Sequence, residues 1–224
     1  MGKYQAGEET RRKILEAAKT IFYQRGYEEA SYTAIARKAG VNRGLIPYHF
    51  NSKLDLALAV YDSFMEDYVR TRDEIAKDCS KEEQLVIDIL YYYRLAEDDN
   101  VLRFLSFIMG EEAYRERIIW GEEIVYRRAL LPEMNYTEEE WEYLICMIVG
   151  MAGETIRMMC RKKYENIREL PRTMLQLFFP ALGYPVEYAN KVFEAASSLL
   201  DQYEFQVKEN FEIIKTVSLH GSSK

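Results

Sequence analysis

The side chains best suited to recognising another molecule lie close together near the N-terminus, in residues 31–53. Arg43 stands between Asn42 and Gly44 at the start of a short apolar segment. An Arg at the start of a helix can donate two hydrogen bonds to a guanine edge, and an Asn can cap that helix or contact a phosphate. A Gly lets the backbone approach DNA closely. The pattern predicts DNA contacts from Ser31, Thr33, Asn42, Arg43, Gly44, Tyr48 and His49.

These residue types also have plainer explanations. A lone Arg43 is more often a solvated surface side chain, and Ser31 is equally well suited to cap a helix. The hydroxyls of Ser31 and Thr33 can donate to a phosphate, which the helix dipole would favour there. Tyr48 and His49 are predicted late in the same helix as Arg43, where they would point towards phosphates or thymine methyl groups.

The charge of the chain is divided unevenly along its length. Residues 1–53 hold ten Lys or Arg and five Asp or Glu, a net charge of +5. The remaining residues carry a net charge of −12, and the two parts sum to the −7 of the whole chain. A basic segment attached to an acidic body is typical of a nucleic-acid-binding unit joined to something else.

Three short helices would have to position the candidate contacts. Apolar residues at three- and four-residue steps predict a first helix over residues 9–25, ended by Gly26. Ser31 would cap a second helix over residues 32–39, and Asn42 a third that runs to Phe50. Val41, Leu45, Ile46 and Phe50 are predicted to pack inward. This layout is that of a three-helix helix-turn-helix unit whose last helix enters the major groove.

The segment SYTAIARKAGVNRGLIPYHFNSK closely resembles the DNA-binding signature of TetR-family transcriptional regulators, over about 45 residues. The resemblance implies a homodimer that represses by binding a palindromic DNA operator and leaves it when a small molecule binds the body. Three scattered cysteines with no C-x-x-C pair separately predict a reducing, cytoplasmic location. It also implies a phosphate contact from Lys53. Pro47 departs from the pattern, which usually has Tyr there. Because Pro removes a helical hydrogen bond, at a cost of about 3 kcal/mol, it predicts a short or bent third helix.

The rest of the chain is predicted to be helical. No Gly occurs between Gly44 and Gly110, and no Pro between Pro47 and Pro132. We expect an all-α protein, with a three-helix helix-turn-helix DNA-binding domain in residues 1–53 and a helical ligand-binding and dimerisation domain in residues 54–224. A long helix from residue 52 to about 74 would join the two, and the last helix is predicted over residues 186–218. No role is assigned to the extension 185–224.

Two uses of the body follow from its apolar side chains, and ordinary core packing is the alternative to both. Aromatic and thioether groups suit a ligand cavity with a few polar handles. The candidates for it are Tyr92, Phe104, Phe107, Trp120, Tyr126, Tyr143, Met147 and Glu154. Glu154 could meet a cationic ligand or pair with Arg157. A four-helix dimer interface is predicted from Met151, Met158, Leu170, Met174, Leu177 and Phe178.

Other classes of protein fit the sequence poorly. His49 and His220 are the two histidines, and neither follows a Glu at the Glu-x-x-His spacing of a di-iron site. We therefore expect no enzyme, no cofactor and no metal. The longest apolar run has 11 residues, too few to span a membrane. A helical protein-binding adaptor, or a DNA-binding activator or constitutive regulator without ligand, remains as an alternative.

Overall fold

The computed structural model describes residues 2–120, 136–161 and 167–218. In chain order the elements are α1 Gly2–Glu29, α2 Tyr32–Ala39, α3 Leu45–His49, α4 Lys53–Ala76, α5 Lys81–Leu95, α6 Asp99–Ile108, α7 Glu112–Trp120, α8 Glu138–Arg161, a 3₁₀ turn Ile167–Glu169, α9 Leu170–Ala181, α10 Val186–Leu200, β1 Tyr203–Val207 and β2 Ile213–Val217. The predicted all-α class is confirmed for the bulk of the chain, with one two-stranded sheet as an addition.

Local signals set the bounds of the first helices. The helical path of α1 breaks at Gly26, whose φ of 72° is one that L side chains rarely adopt. Ser31 caps α2 by accepting a hydrogen bond from the Ala34 amide at 3.2 Å. Gly40 ends α2 with a φ of 67°. The predicted second helix, residues 32–39, is confirmed to the residue.

We call residues 1–53 the head and residues 54–224 the body. Helix α4 joins the two without a linker. Ser52 caps it by accepting from the Asp55 amide at 2.9 Å. Its inward face, which includes Leu56, Tyr61, Phe64 and Tyr68, is buried along the length of the helix. Because one rigid element enters both parts, the head cannot turn on the body without moving α4.

Helix α1 also packs against α6 of the body. The Tyr27 and Phe107 rings stack with centroids 3.7 Å apart. The Tyr23 hydroxyl donates to the Asp98 carboxylate at 2.6 Å, and Arg103 donates to the Tyr23 carbonyl at 2.9 Å. Burial and the hydrogen bond to Asp98 raise the pKa of Tyr23. The head and the body therefore share one hydrophobic core.

The predicted last helix, residues 186–218, is wrong beyond Leu200. Helix α10 ends there and the chain forms an antiparallel hairpin, with Tyr203 opposite Val217 and Val207 opposite Ile213. The segment Tyr203–Val207 alternates apolar and polar residues, which is the period of a half-buried strand and not of a helix. That alternation was the signal in the sequence for the hairpin.

The loop of the hairpin inserts one aromatic ring into the junction between head and body. Phe211 has a φ of 62°, an uncommon backbone conformation for a bulky residue, and is only 2% exposed. Its ring centroid lies 4.7 Å from that of Phe104, 5.4 Å from that of Tyr23 and 5.9 Å from that of Phe64. The ring thus contacts α1, α4 and α6 at once.

Replacing Phe211 with Ala should lower the free energy of unfolding by about 3–5 kcal/mol, because a large buried ring is lost and its neighbours cannot fully close the space. Urea denaturation followed by circular dichroism measures the loss. Val217→Ala, at an exposed position of the same hairpin, should stay within about 0.5 kcal/mol of the parent. A loss of less than about 1 kcal/mol for Phe211→Ala would contradict this packing.

Candidate nucleic-acid interface and cavity

The turn before α3 is built by Asn42. Its side-chain oxygen accepts from the Gly44 amide at 2.9 Å, and its carbonyl accepts from the Leu45 amide at 3.0 Å. Ile46 is fully buried and anchors the helix, whereas Arg43, Gly44 and Tyr48 are exposed. Asn42 therefore stabilises the turn before α3, but the N-cap position of that helix is Gly44, so the predicted capping role of Asn42 is corrected.

Helix α3 is only five residues long. Phe50 closes it by donating its amide to the Ile46 carbonyl at 2.9 Å, and the Phe50 ring is buried as predicted. The Arg11 guanidinium lies 5.0 Å above the ring. A short third helix, expected because Pro47 has no amide to donate, is confirmed.

Leu45 does not pack inward as the sequence predicted. It is 37% exposed, and Tyr48 is 80% exposed. Only one face of so short a helix can reach the core, and Ile46 already occupies it. The half-buried His49 lies with its ring at right angles to that of Tyr48, 5.1 Å between centroids.

Helix α2 carries exposed polar groups next to this surface. Thr33 and Arg37 are four residues apart and both exposed, so they share one face of the helix, and Lys38 is exposed beside them. Arg37 and Lys38 were missed as candidate contacts. Their positive charge, and their place between the buried residues of α2 and the turn at Gly40, are the signal that could have found them.

Lys53 is held by the protein itself. Its ammonium donates to the Ala30 carbonyl at 3.0 Å and lies 4.2 Å above the Tyr27 ring. It also lies 3.5 Å from the Glu28 carbonyl. The ammonium thus fixes the start of α4 against the end of α1, and a phosphate would have to share it with these partners.

The body contains a cavity of about 80 Å³ that is partly open to solvent. This is smaller than the roughly 300–1,000 Å³ of typical small-molecule sites, so a ligand would have to displace side chains of the wall. Five Tyr and three Met dominate its wall, which consists of Tyr61, Met65, Tyr68, Asp88, Ile89, Tyr92, Tyr93, Met109, Tyr114, Ile148, Val149, Ala152 and Met174.

The one charged residue among the described residues of the cavity wall, Asp88, belongs to a buried ion pair. Arg72 donates to the Asp88 carboxylate at 2.8 Å, and the Tyr68 hydroxyl lies 2.8 Å from the same oxygen. Asp88 is therefore compensated within the protein. Burial raises the pKa of Tyr92 well above its usual value and that of Tyr93 to about 12, so both hydroxyls stay protonated at neutral pH.

The predicted pocket residues are largely elsewhere. Tyr92 lines the cavity, but Phe104 and Phe107 pack against α1 at the junction with the head. Tyr143, Met147 and Glu154 lie on the exposed face of α8. The side chain of Trp120 and all of Tyr126 are outside the described residues.

Glu154 pairs with Arg157, one of the two roles expected for it. The Arg157 Nε atom donates to Glu154 Oε2 at 3.0 Å, and this contact lowers the pKa of Glu154. Tyr143, Met147 and Glu154 miss the cavity because another face of α8, with Ile148, Val149 and Ala152, turns towards it.

The predicted dimer residues divide between the surface and the core. Leu177 is 66% and Met158 47% exposed. Met151 and Leu170 are half-buried. Met174 and Phe178 are buried within the chain, Met174 against the cavity, so these two are corrected to core residues. Within the described part of the body, the exposed Tyr143, Met147 and Met158 lie along one face of α8 and form an apolar stripe that the Glu154–Arg157 pair interrupts.

Two further properties bear on the class of protein. Helix α8 is long and apolar enough to cross a membrane by length and composition alone, and a third of its most apolar stretch is buried in the fold. In residues 2–120, 136–161 and 167–218, no group of three or more His, Cys, Asp or Glu could hold a metal ion.

Comparison with known proteins identifies the head. Residues 14–60 match the family model described as bacterial regulatory proteins, tetR family. The chain is 42% identical over 78 residues to the probable HTH-type transcriptional regulator ArpR of Pseudomonas putida, and 41% identical over 78 residues to the HTH-type transcriptional regulator TtgR of the same species. Each match covers 35% of both chains, so the chain spans about a third of the length of these relatives.

Solved structures match over most of the chain. RolR in complex with resorcinol superposes with a TM-score of 0.67 at 17% identity, covering 85% of this chain and 95% of that one. TylP, a TetR regulator from Streptomyces fradiae, gives a TM-score of 0.55 at 20% identity, covering 88% and 93%. At these identities the likeness concerns the fold. The match of residues 14–60 shows that this N-terminal part of the chain is similar to the tetR family of bacterial regulatory proteins.

Proposed function

We propose that the protein is a cytoplasmic, homodimeric transcriptional repressor that binds a palindromic DNA operator and is released from it by a small molecule. The observation that carries this proposal is the match of residues 14–60, whose exposed α3 surface is available to a DNA groove. Arg43 reads a guanine edge, and Ser31, Thr33, Asn42, His49 and Lys53 contact or position the phosphates. Gly44 and Tyr48 face the bases.

Arg43→Ala should weaken binding to the cognate operator by about 1–3 kcal/mol and change binding to random duplex much less, because a base contact carries sequence information and a phosphate contact does not. Fluorescence anisotropy on both duplexes at one salt concentration measures the difference. Arg70→Ala, at an exposed Arg in the body, should change neither affinity by as much. Equal losses on both duplexes would remove the base-reading role.

Dimerisation is supported by the exposed apolar stripe on α8 and by Leu177 on α9. Apolar side chains of this size on a soluble surface usually mark an interface. A two-fold dimer would present two α3 helices, and these would meet two half-sites about 34 Å apart, one turn of DNA. Two heads would then bind a palindrome far more tightly than one.

Met147→Glu and Leu177→Glu should each convert the dimer to a monomer, because both place a charge in the proposed apolar contact. Sedimentation velocity would report the mass, and operator affinity should fall with it. Val186→Glu, at an exposed apolar position on α10, is the matched control and should remain dimeric. An unchanged mass for both interface variants would place the dimer contact elsewhere.

The cavity is proposed as the effector site. Its wall of Tyr and Met side chains suits an aromatic ring, and its hydroxyls suit one or two polar substituents. The resorcinol complex of RolR, a protein with the same fold, makes a single-ring phenol the first class to test. Tyr61, Met65 and Tyr68 line the cavity from α4, so a ligand that displaces them shifts the helix that carries the head.

Resorcinol and related single-ring phenols should weaken operator binding, and operator should weaken phenol binding by the same factor. Ala152→Phe fills part of the cavity and should abolish the response while operator affinity is retained. Isothermal titration with and without operator measures both effects. Unaltered phenol binding by Ala152→Phe would exclude this cavity, and a wild-type protein that binds none of the phenols would exclude the ligand class.

A further inference from the structure

The outward face of α3 is almost entirely hydrocarbon. Ile46 points into the core, so at 3.6 residues per turn Gly44 and Tyr48 lie opposite to it, with Leu45 and Pro47 on the flanks. All four are exposed. Apart from the Tyr48 hydroxyl, the side chains of this face have no polar atom. We call Gly44, Leu45, Pro47 and Tyr48 the apolar reading face.

The surroundings of this face favour DNA as its partner. Arg43 precedes Leu45 in the chain, and Arg37 and Lys38 are exposed in the last turn of α2, five and four residues before Asn42. The first 53 residues carry a net charge of +5. A hydrocarbon centre with cationic neighbours matches a major groove, where phosphates line the edges and base edges form the floor.

One chemical group on the floor of the groove matches a hydrocarbon face. The major-groove edges of guanine, adenine and cytosine offer hydrogen-bond donors and acceptors, whereas thymine adds a C5 methyl group. A hydrogen-bonding base edge against Leu45 or Pro47 would lose its water without a replacement partner. Gly44 allows the approach, because a Cβ atom there would contact only the Asn42 side chain, at 3.4 Å, and the space beyond is open.

We infer that the apolar reading face selects thymine, so that each operator half-site has one or more thymines whose methyl groups pack on Leu45, Pro47 and Tyr48 beside the guanine bound by Arg43. This inference rests on the proposed DNA-binding function and adds the chemistry by which sequence is read. It gives Leu45 and Pro47 a role in specificity.

The test removes the methyl group alone. Duplexes are first selected by the full-length protein from a random pool, and each thymine of the selected half-site is then replaced in turn by deoxyuridine. At one or more positions adjacent to the guanine that Arg43 binds, affinity should fall about fourfold per uracil. This factor corresponds to about 0.8 kcal/mol for one buried carbon group.

Protein variants test whether the apolar reading face causes the loss of affinity for uracil duplexes. Leu45→Ala and Tyr48→Ala, both at exposed positions, should bind the thymine duplex more weakly and lose their sensitivity to uracil at the matching position. Val217→Ala, which shortens an exposed apolar side chain in the hairpin, should retain the full fourfold effect.

Different outcomes test the selection of thymine and the proposed DNA binding separately. A defined selected site in which no uracil changes affinity by twofold overturns the thymine inference and leaves DNA binding intact. Unchanged duplex affinity in Leu45→Ala and Tyr48→Ala also overturns it, and would point to a protein partner on this face. Failure to select any sequence overturns the proposed function and the inference together.

Discussion

The contact of Tyr23, Phe104 and Phe211 is the constraint on which the arrangement of the molecule depends. These three rings come from the head, the body and the C-terminal hairpin, and they meet in one buried cluster. Next to it, the Tyr23 hydroxyl is held by Asp98, the residue that caps α6. Since apolar packing is dense and tolerates little change in shape, the orientation of the head is fixed by the same core that stabilises the body.

The head could be predicted well from the sequence because its signals are local. Ser31 and Gly40 set the two ends of α2 through a side-chain cap and a backbone angle, and Asn42 forms the turn before α3. Each of these contacts spans only a few residues. Pro47 likewise shortened α3 as its missing amide requires. The prediction that Leu45 packs inward was wrong, because periodicity alone cannot tell which of two adjacent apolar residues will reach the core.

The body was predicted less well because its features depend on contacts between distant segments. Aromatic content indicated that a cavity was possible, but the choice between Tyr92, which lines it, and Phe107, which stacks on Tyr27, depends on which face of a helix meets which neighbour. The prediction missed the hairpin for a similar reason. Its strands are five residues each, and their alternation was read as the end of a long helix.

The length of α4 gives a scale for signalling between the cavity and the head. A helix of 24 residues is about 36 Å long at 1.5 Å per residue. Tilting it by about 5° about one end would displace the other by about 3 Å. That is close to the 3.4 Å rise of one base pair, so in the proposed dimer a ligand that rotated α4 by a few degrees would put the two heads out of register with DNA.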